Sequence, residues 1–249
     1  MIDTSKFTVV RGEALLKAKG KEPRAIMNDG KPIGTHPHGL SMPRAIAKHK
    51  TMDAERWVAL AQASDDERPA LMQTWYSGAS NVAADGYRMH RVDGQRMSKE
   101  LAWASRYEYE QKQHIVPDYL ALFPRDTPYR FTIATQALVS ALHAVKPFAR
   151  DSSDIVRFET SESALVVRAT SWECGDAQAT IDGTDYGASN ALPSEFALKS
   201  KYALDALAGM GERTEIATHG QYGQHAFVFT STVQGVGRKA LVMPMHISR

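Results

Sequence analysis

The stretch FTIATQALVSALHAV, residues 131–145, sets the fold once it is laid without a gap on FALKSKYALDALAGM, residues 196–210. Phe, Ala and Leu recur at the same places. In the first copy Leu138, Ala141, Leu142 and Val145 follow the i, i+3, i+4, i+7 pattern, and Ala203, Ala206, Leu207 and Met210 do the same in the second. Each copy predicts a strand end running into a short amphipathic helix. Thr135 and Ser200 stand where a side-chain oxygen could cap the first free amides, while Pro147 and the pair Gly209/Gly211 stop the helices.

Alternating runs follow each helix. Residues 154–160 and 164–170 flank a Ser-Glu-Ser turn in the first unit, and 214–219 and 226–231 flank Gly-rich residues in the second. A β-α-β-β-β unit occurring twice is the expectation for residues 129–249. A third copy is visible upstream, with a helix over 52–64 and a hairpin formed by 70–76 and 80–84. Asn28, Gly30, Pro32, Gly34, Pro37 and Gly39 punctuate what precedes it, so residues 1–50 and 93–116 are expected to hold a shortened or diverged fourth unit. The expected fold is α+β, with helices on one face of antiparallel sheets. It divides into an N-terminal domain over 1–116, an extended proline-bearing linker over 117–128 and a C-terminal domain over 129–249.

Composition narrows the function classes. A chain of 249 residues, 43% hydrophobic and 23% charged, is ordinary for a globular protein. Thirty Lys plus Arg against 28 Asp plus Glu leave +2, so a nucleic-acid role needs a local basic patch rather than bulk charge. The single Cys174 excludes an intrachain disulfide and every multi-cysteine metal motif, which suits a reducing cytosol. No apolar run approaches the ~20 residues of a membrane span, and the start MIDTSKFTVVRGE lacks a basic region followed by an apolar one, so a cytoplasmic location is expected. His36, His38 and His49 lack a carboxylate pair that would complete a metal spacing and read as loop residues. Asp65, Asp66 and Glu67 read as a solvated helix end. Cys174 lacks a motif-level His partner, and neither a nucleophile elbow nor a Gly-rich phosphate loop is present, so neither catalysis nor a cofactor or metal is expected.

Three segments remain: NVAADGYRMHRV (81–92), VPDYLALFP (116–124) and ALVMPMHISR (240–249). Singly, Asp85-Gly86 is a hairpin turn and Met243-Pro244-Met245 an edge strand closing a core. Together and in this order they resemble the motifs lining the peptide-binding pocket of the bacterial DNA polymerase III beta subunit, the sliding clamp. The resemblance implies a DNA clamp fold with two clamp domains per chain, matching the last two of the three in the standard clamp. A six-domain ring then needs three chains, a homotrimer, with a homodimer or monomer as the alternatives.

The resemblance further implies a partner-peptide pocket of Ala84, Asp85, Gly86, Tyr87, Arg88 and Met89 from the first motif, and Pro117 and Leu122 from the second. Val242, Met243, Pro244, Met245, His246 and Ile247 would complete it. Partners would be double-stranded DNA held without base reading, DNA polymerase and other proteins bearing clamp-binding tails, and an ATP-driven clamp loader. Flexible Met side chains suit several apolar tails, and ~300 Å² of apolar burial at ~25 cal/mol per Å² gives roughly 7 kcal/mol gross, hence micromolar binding after ordering costs. DNA-facing cations would be Lys146, Arg150, Lys199 and Lys201 in the C-terminal domain and Arg44, Lys48, Lys50 and Arg56 in the other. Tyr87 replaces the usual His, His246 the usual Arg, and Ala121 the common linker Arg, so peptide preference is expected to differ from that of a housekeeping clamp. Two rival readings are a clamp-like protein that binds or sequesters such tails without forming a ring, and an enzyme whose site is dispersed in the first 50 residues.

Overall fold

The computed structural model describes residues 7–10, 24–28, 31–36, 48–64, 69–77, 79–94, 119–161, 164–183, 185, 194–220 and 223–246. The first part holds β1 (Phe7–Val10), β2 (Arg24–Asn28), β3 (Lys31–His36), α1 (Ala54–Ala59), β4 (Trp75–Ser77), β5 (Ser80–Ala84) and β6 (Arg88–Asp93). Two β-α-β-β-β units follow. The first is β7 (Tyr129–Ala134), α2 (Thr135–Val145), β8 (Ile155–Thr160), β9 (Ala164–Ser171) and β10 (Gly175–Asp182). The second is β11 (Glu195–Lys199), α3 (Ser200–Ala208), β12 (Arg213–Thr218), β13 (Phe227–Val233) and β14 (Val236–Val242). The repeat expected from the sequence is present in the α+β architecture it predicted.

The two units exchange their opening strands. β7 pairs with β12 of the second unit, and β11 pairs with β8 of the first. The result is a five-stranded sheet, β1-β10-β9-β8-β11, and a seven-stranded sheet, β4-β5-β6-β14-β13-β12-β7, both antiparallel, beside the hairpin β2–β3. The seven-stranded sheet is continuous across the expected domain boundary through the β6–β14 ladder, Arg88↔Val242 to Val92↔Arg238. β1 lies on the opposite edge, with Phe7 opposite Ala179 and Val10 opposite Asp176.

Inner faces follow the period of two: Val156 and Phe158, Leu165 and Val167, Ala177 and Ala179 are buried while their neighbours point outward. Phe196 stacks between Phe158 and Phe227, with ring centroids 4.8 and 4.2 Å away, and so joins the two sheets in one core. α2 and α3 pack on this core with Leu138, Leu142, Ala206 and Leu207 inward.

The helix starts differ from the sequence expectation. Thr135 and Ser200 are the first helical residues, and neither caps its helix with a side chain. The free amides are taken by the other unit's backbone: Thr135 N–H donates to Glu212 C=O at 2.9 Å, and Ser200 N–H to Asp154 C=O at 2.7 Å. Two further expectations are corrected. Pro69–Met72 is a 3₁₀ turn instead of strand, because Trp75 Nε1 donates to Ala70 C=O and Ala63 N–H to Leu71 C=O, leaving only Trp75–Ser77 extended. Tyr119–Leu122 is likewise a 3₁₀ turn where an extended linker was expected, since burying Tyr119 to 1% exposure requires the chain to curl.

Trp57 anchors α1. Its Nε1 donates to the carbonyls of Asp205 and Ala206 at the end of α3, at 2.9 and 3.1 Å. Gly209 makes the close approach possible, since a Cβ there would stand 2.3 Å from the indole. On the other indole face His90 of β6 stacks at 4.5 Å, with Nδ1–H donating to Trp57 C=O at 2.8 Å. Complete burial lowers the His90 pKa from 6.5 to about 3, so the ring is neutral.

The unfolded chain protonates this histidine below 6.5 and the folded chain only near 3, so the neutral-ring contribution is intact above 6.5 and declines as pH falls between these values. Denaturant titrations from pH 7 to pH 4 should lose stability with a slope that falls in His90→Phe by up to one proton's worth, about 1.4 kcal/mol per pH unit.

Candidate functional site

Asp85 and Gly86 turn the chain between β5 and β6, and Gly86 adopts φ 94°, where a side chain would be strained. The Asp85 carboxylate accepts from the amides of Tyr87 and Arg88 at 2.9 and 3.0 Å. Arg88 then runs inward, 5% exposed. Its Nε donates to Asp85 at 2.9 Å, one Nη to the Asp205 carboxylate on α3, and the other to Leu60 C=O at 2.6 Å. Its charge also lies 4.6 Å from the centre of the Tyr202 ring. One guanidinium therefore links the turn, the end of α1 and the outer side of α3.

Above it, Tyr87 stacks loosely on Tyr202, centroids 6.5 Å apart, and the Lys199 ammonium lies 5.3 Å from the same ring. Burial pushes the Tyr202 phenol up, with the Asp85 charge adding to the effect, so it remains a neutral hydrogen-bonding group.

The Met-Pro-Met step carries the chain off β14. Met243 N–H donates to Tyr87 C=O at 2.9 Å and Met245 N–H to Ala197 C=O on β11 at 2.8 Å. Pro244 sits between these two anchored amides and has no N–H of its own to satisfy. The crossing leaves Met243 40% exposed next to Tyr87, itself 54% exposed. Beneath them Ala84, Met89 and Leu241 form a buried cluster with Tyr119 and the partly buried Phe123, and Leu122 on that same turn is 58% exposed. The site thus has a buried apolar floor beneath an exposed rim of Tyr87 and Met243, with Leu122 exposed on the turn that packs against that floor.

Most of the residues chosen from the sequence converge here, in differing roles. Ala84, Met89 and Val242 are buried and serve as floor and core, whereas Asp85, Gly86 and Arg88 set the turn. His246 is carried away from Tyr87 and lines a cavity of about 120 Å³ with Ile155, Arg157, Thr170 and Ala197. Pro117 and Ile247 lie outside the described residues. Tyr202 and Asp205 were missed; they occupy the polar side of the α3 amphipathic pattern, where sequence spacing marks a solvated face and gives no sign of a contact.

The cations expected to face DNA occupy the helical layer and its ends. Arg56 is exposed on α1, Lys201 exposed at the start of α3, and Lys48 and Lys50 exposed beside His49, whose ring bonds to Met210 C=O at 3.0 Å. Lys146 begins the 3₁₀ turn after α2, Arg150 is exposed just beyond it, and Lys199 is drawn to Tyr202. Arg44 lies outside the described residues. Among the described residues no group of His, Cys, Asp or Glu is arranged to hold a metal, and no helix is long and apolar enough to cross a membrane.

Solved structures share this fold. A Pseudomonas aeruginosa DNA polymerase sliding clamp crystallised with ligand superposes with TM-score 0.61 at 19% identity, covering 78% of this chain and 63% of its own. The fold is that of the bacterial sliding clamp. A Helicobacter pylori beta clamp in complex with diflunisal matches with TM-score 0.61 at 12% identity over the same shares of the two chains. A Caulobacter crescentus beta sliding clamp, with polyethylene glycol at its putative β-motif tethering region, matches with TM-score 0.60 at 15% identity, over 87% of this chain and 71% of its own. The present chain therefore spans less than two thirds of the Pseudomonas and Helicobacter clamps. No protein-family model matches the sequence, and no curated protein does.

Removing the guanidinium should loosen the whole site. Arg88→Met should cost about 3 kcal/mol in denaturant unfolding, since it strands the Asp85 and Asp205 carboxylates and the Leu60 carbonyl. A double-mutant cycle with Asp205→Asn should return a coupling of roughly 1 kcal/mol or more.

Proposed function

We propose that the chain is a DNA sliding clamp, a processivity factor that encircles duplex DNA and tethers a polymerase and other partners through the Tyr87/Leu122/Met243 site. The observation that carries this reading is the seven-stranded sheet running unbroken through β6 and β14, with α1 and α3 joined through Trp57, in a fold shared with bacterial clamps. A sheet that continues from one unit into the next is what a ring wall requires, and Arg56 on α1, Lys201 at the start of α3 and Lys48 and Lys50 just before α1 offer phosphate contacts without base reading.

In this reading the chain is soluble and cytoplasmic, has no chemistry of its own, and contributes two clamp domains, 1–116 and 129–249, to a homotrimer. Loading onto closed DNA calls for an ATP-driven clamp loader. The peptide site takes a short apolar tail with a hydrogen-bonding residue: the exposed Met and Leu receive aliphatic or aromatic anchors, while Tyr87, Tyr202 and Lys199 supply polar contacts.

A second reading is favoured by one specific observation. β1 of the same chain covers the β10 edge, which suits a clamp-like protein that binds or sequesters tails without forming a ring. Solution mass separates the two. Light scattering over a range of concentrations should give three times 27.5 kDa, and the protein should be retained on circular but not on linear duplex; a monomer throughout supports the sequestering protein.

The docking site is tested independently of the ring. Met243→Ala combined with Met245→Ala should weaken binding of a peptide bearing Gln and Leu/Phe anchors at least tenfold by fluorescence anisotropy, with the unfolding midpoint little changed, and an unaltered Kd would remove the site assignment.

A further inference from the structure

We propose that the cavity beside His246 is a further subsite of the docking surface and takes a carboxylate, that of an acidic residue flanking the apolar anchor of a bound tail. The inference rests on the tail-binding reading above and adds the chemistry of a second recognised group.

The cavity, about 120 Å³, lies on the outward face of the five-stranded sheet, where Arg157 of β8 stands opposite Ala197 of β11. Ala197 has no bulk beyond its Cβ, and its carbonyl accepts from the Met245 amide at 2.8 Å. The chain leaving β14 is therefore held against β11 at that point, and the next residue, His246, becomes one wall of the cavity. Arg157, Thr170 and Ile155 supply others.

This lining is rich in donors. A guanidinium offers five N–H groups and no acceptor, an imidazole keeps an N–H in either tautomer, and a threonine hydroxyl can donate. Among the described residues no carboxylate lines the cavity. Acids lie on the adjoining surface instead. Glu195 meets Arg157 at 3.7 Å with both side chains half-exposed, Glu159 takes Arg168 at 3.1 Å, and Asp176 stands opposite Thr170 on β10. A pair as long and as wet as Arg157 with Glu195 is worth little, so the guanidinium can turn to an incoming carboxylate and bind it through two N–H groups. Ile155 gives the methylenes of a Glu or Asp an apolar wall. The volume equals several waters at ~30 Å³ each, room enough for the end of such a side chain.

β11 joins this cavity to the exposed rim. Lys199 is two residues beyond Ala197 on the same face, about 7 Å along the strand, and its ammonium lies 5.3 Å from the Tyr202 ring on which Tyr87 stacks. Along the departing chain, three residues separate Met243 from His246, a span of at most about 11 Å. The amides of Met243 and Met245, bonded to Tyr87 and Ala197, fix both ends of that path. A tail anchored at Met243 thus reaches the cavity with three or four extended residues. An acid at that distance meets Arg157 and His246, whereas a basic residue there faces a guanidinium.

Fluorescence anisotropy with labelled peptides of equal length tests the subsite. One peptide carries Gln and Leu/Phe anchors with neutral flanks, and two others carry a single Glu four residues before or four residues after the anchors. One of the Glu peptides should bind about fivefold more tightly than the neutral peptide, and Lys at the same position should weaken binding. Arg157→Gln should remove the Glu advantage while leaving the neutral peptide's Kd unchanged. His246→Ala, at an exposed position, should reduce the advantage and repeats the test should Arg157→Gln alter the unfolding midpoint.

Equal Kd values for the three peptides would overturn the subsite and leave the docking site standing. An advantage that survives in both variants would overturn it as well, because the acid would then be held by another cation such as Lys199. Failure of the neutral peptide and both Glu peptides to bind removes the docking reading and the subsite together.

Discussion

Five residue pairs between β6 and β14 hold the molecule's two parts in one sheet, and an arginine occupies each end of that ladder. Arg88 stands opposite Val242 at one end and Arg238 opposite Val92 at the other. Both are buried and both turn towards the helices, where backbone carbonyls at the ends of α1 and α3 receive their protons. A buried guanidinium without acceptors costs several kcal/mol, so ladder and helical layer must form together. The indole of Trp57 completes the arrangement by donating into the last turn of α3 and receiving the His90 ring on its opposite face. Sheet continuity therefore follows from helix packing as much as from strand pairing.

The same interdependence governs the repeat. Each unit lends its opening strand to the other's sheet, and each helix begins on a carbonyl lent in return, Glu212 to Thr135 and Asp154 to Ser200. Neither unit satisfies its own helix start, so the two units are interlocked. The amphipathic spacing and the stops at Pro147 and Gly209 made both helices legible in the sequence. Their caps were not, because the groups that take the amides, Glu212 C=O for Thr135 and Asp154 for Ser200 and Lys201, belong to the other unit and lie far away in the chain, where no local signature announces them. The strand expected over 70–76 failed for a related reason: alternation of apolar residues was visible, but the bond from Trp75 Nε1 to Ala70 C=O, which forces a turn, is tertiary information.

The candidate site shows the same division between local and tertiary signals. Asp85-Gly86 announced its turn, and Met243-Pro244-Met245 announced a departure from the sheet, since both are encoded by residues adjacent in sequence. That Asp85 serves Arg88, and that Arg88 serves Asp205 more than a hundred residues on, depends on how α3 lies on β14. His246 illustrates the converse. Adjacent to Met245 in sequence, it is separated from Tyr87 in space because the Met245 amide is claimed by Ala197.

The surface around Tyr87 and Met243 joins a fixed part to a variable one. Ala84, Met89, Leu241 and Val242 are buried in the ladder and the core. Variation is confined to the rim, where Tyr87, Leu122 and Met243 are attached to rigid backbone but are themselves exposed. A fixed interior thus lies beneath exposed side chains that can turn. The bonds that fix that interior are the ones that hold β6 to β14, so the surface around Tyr87 and Met243 is set by the same ladder that joins the molecule's two parts.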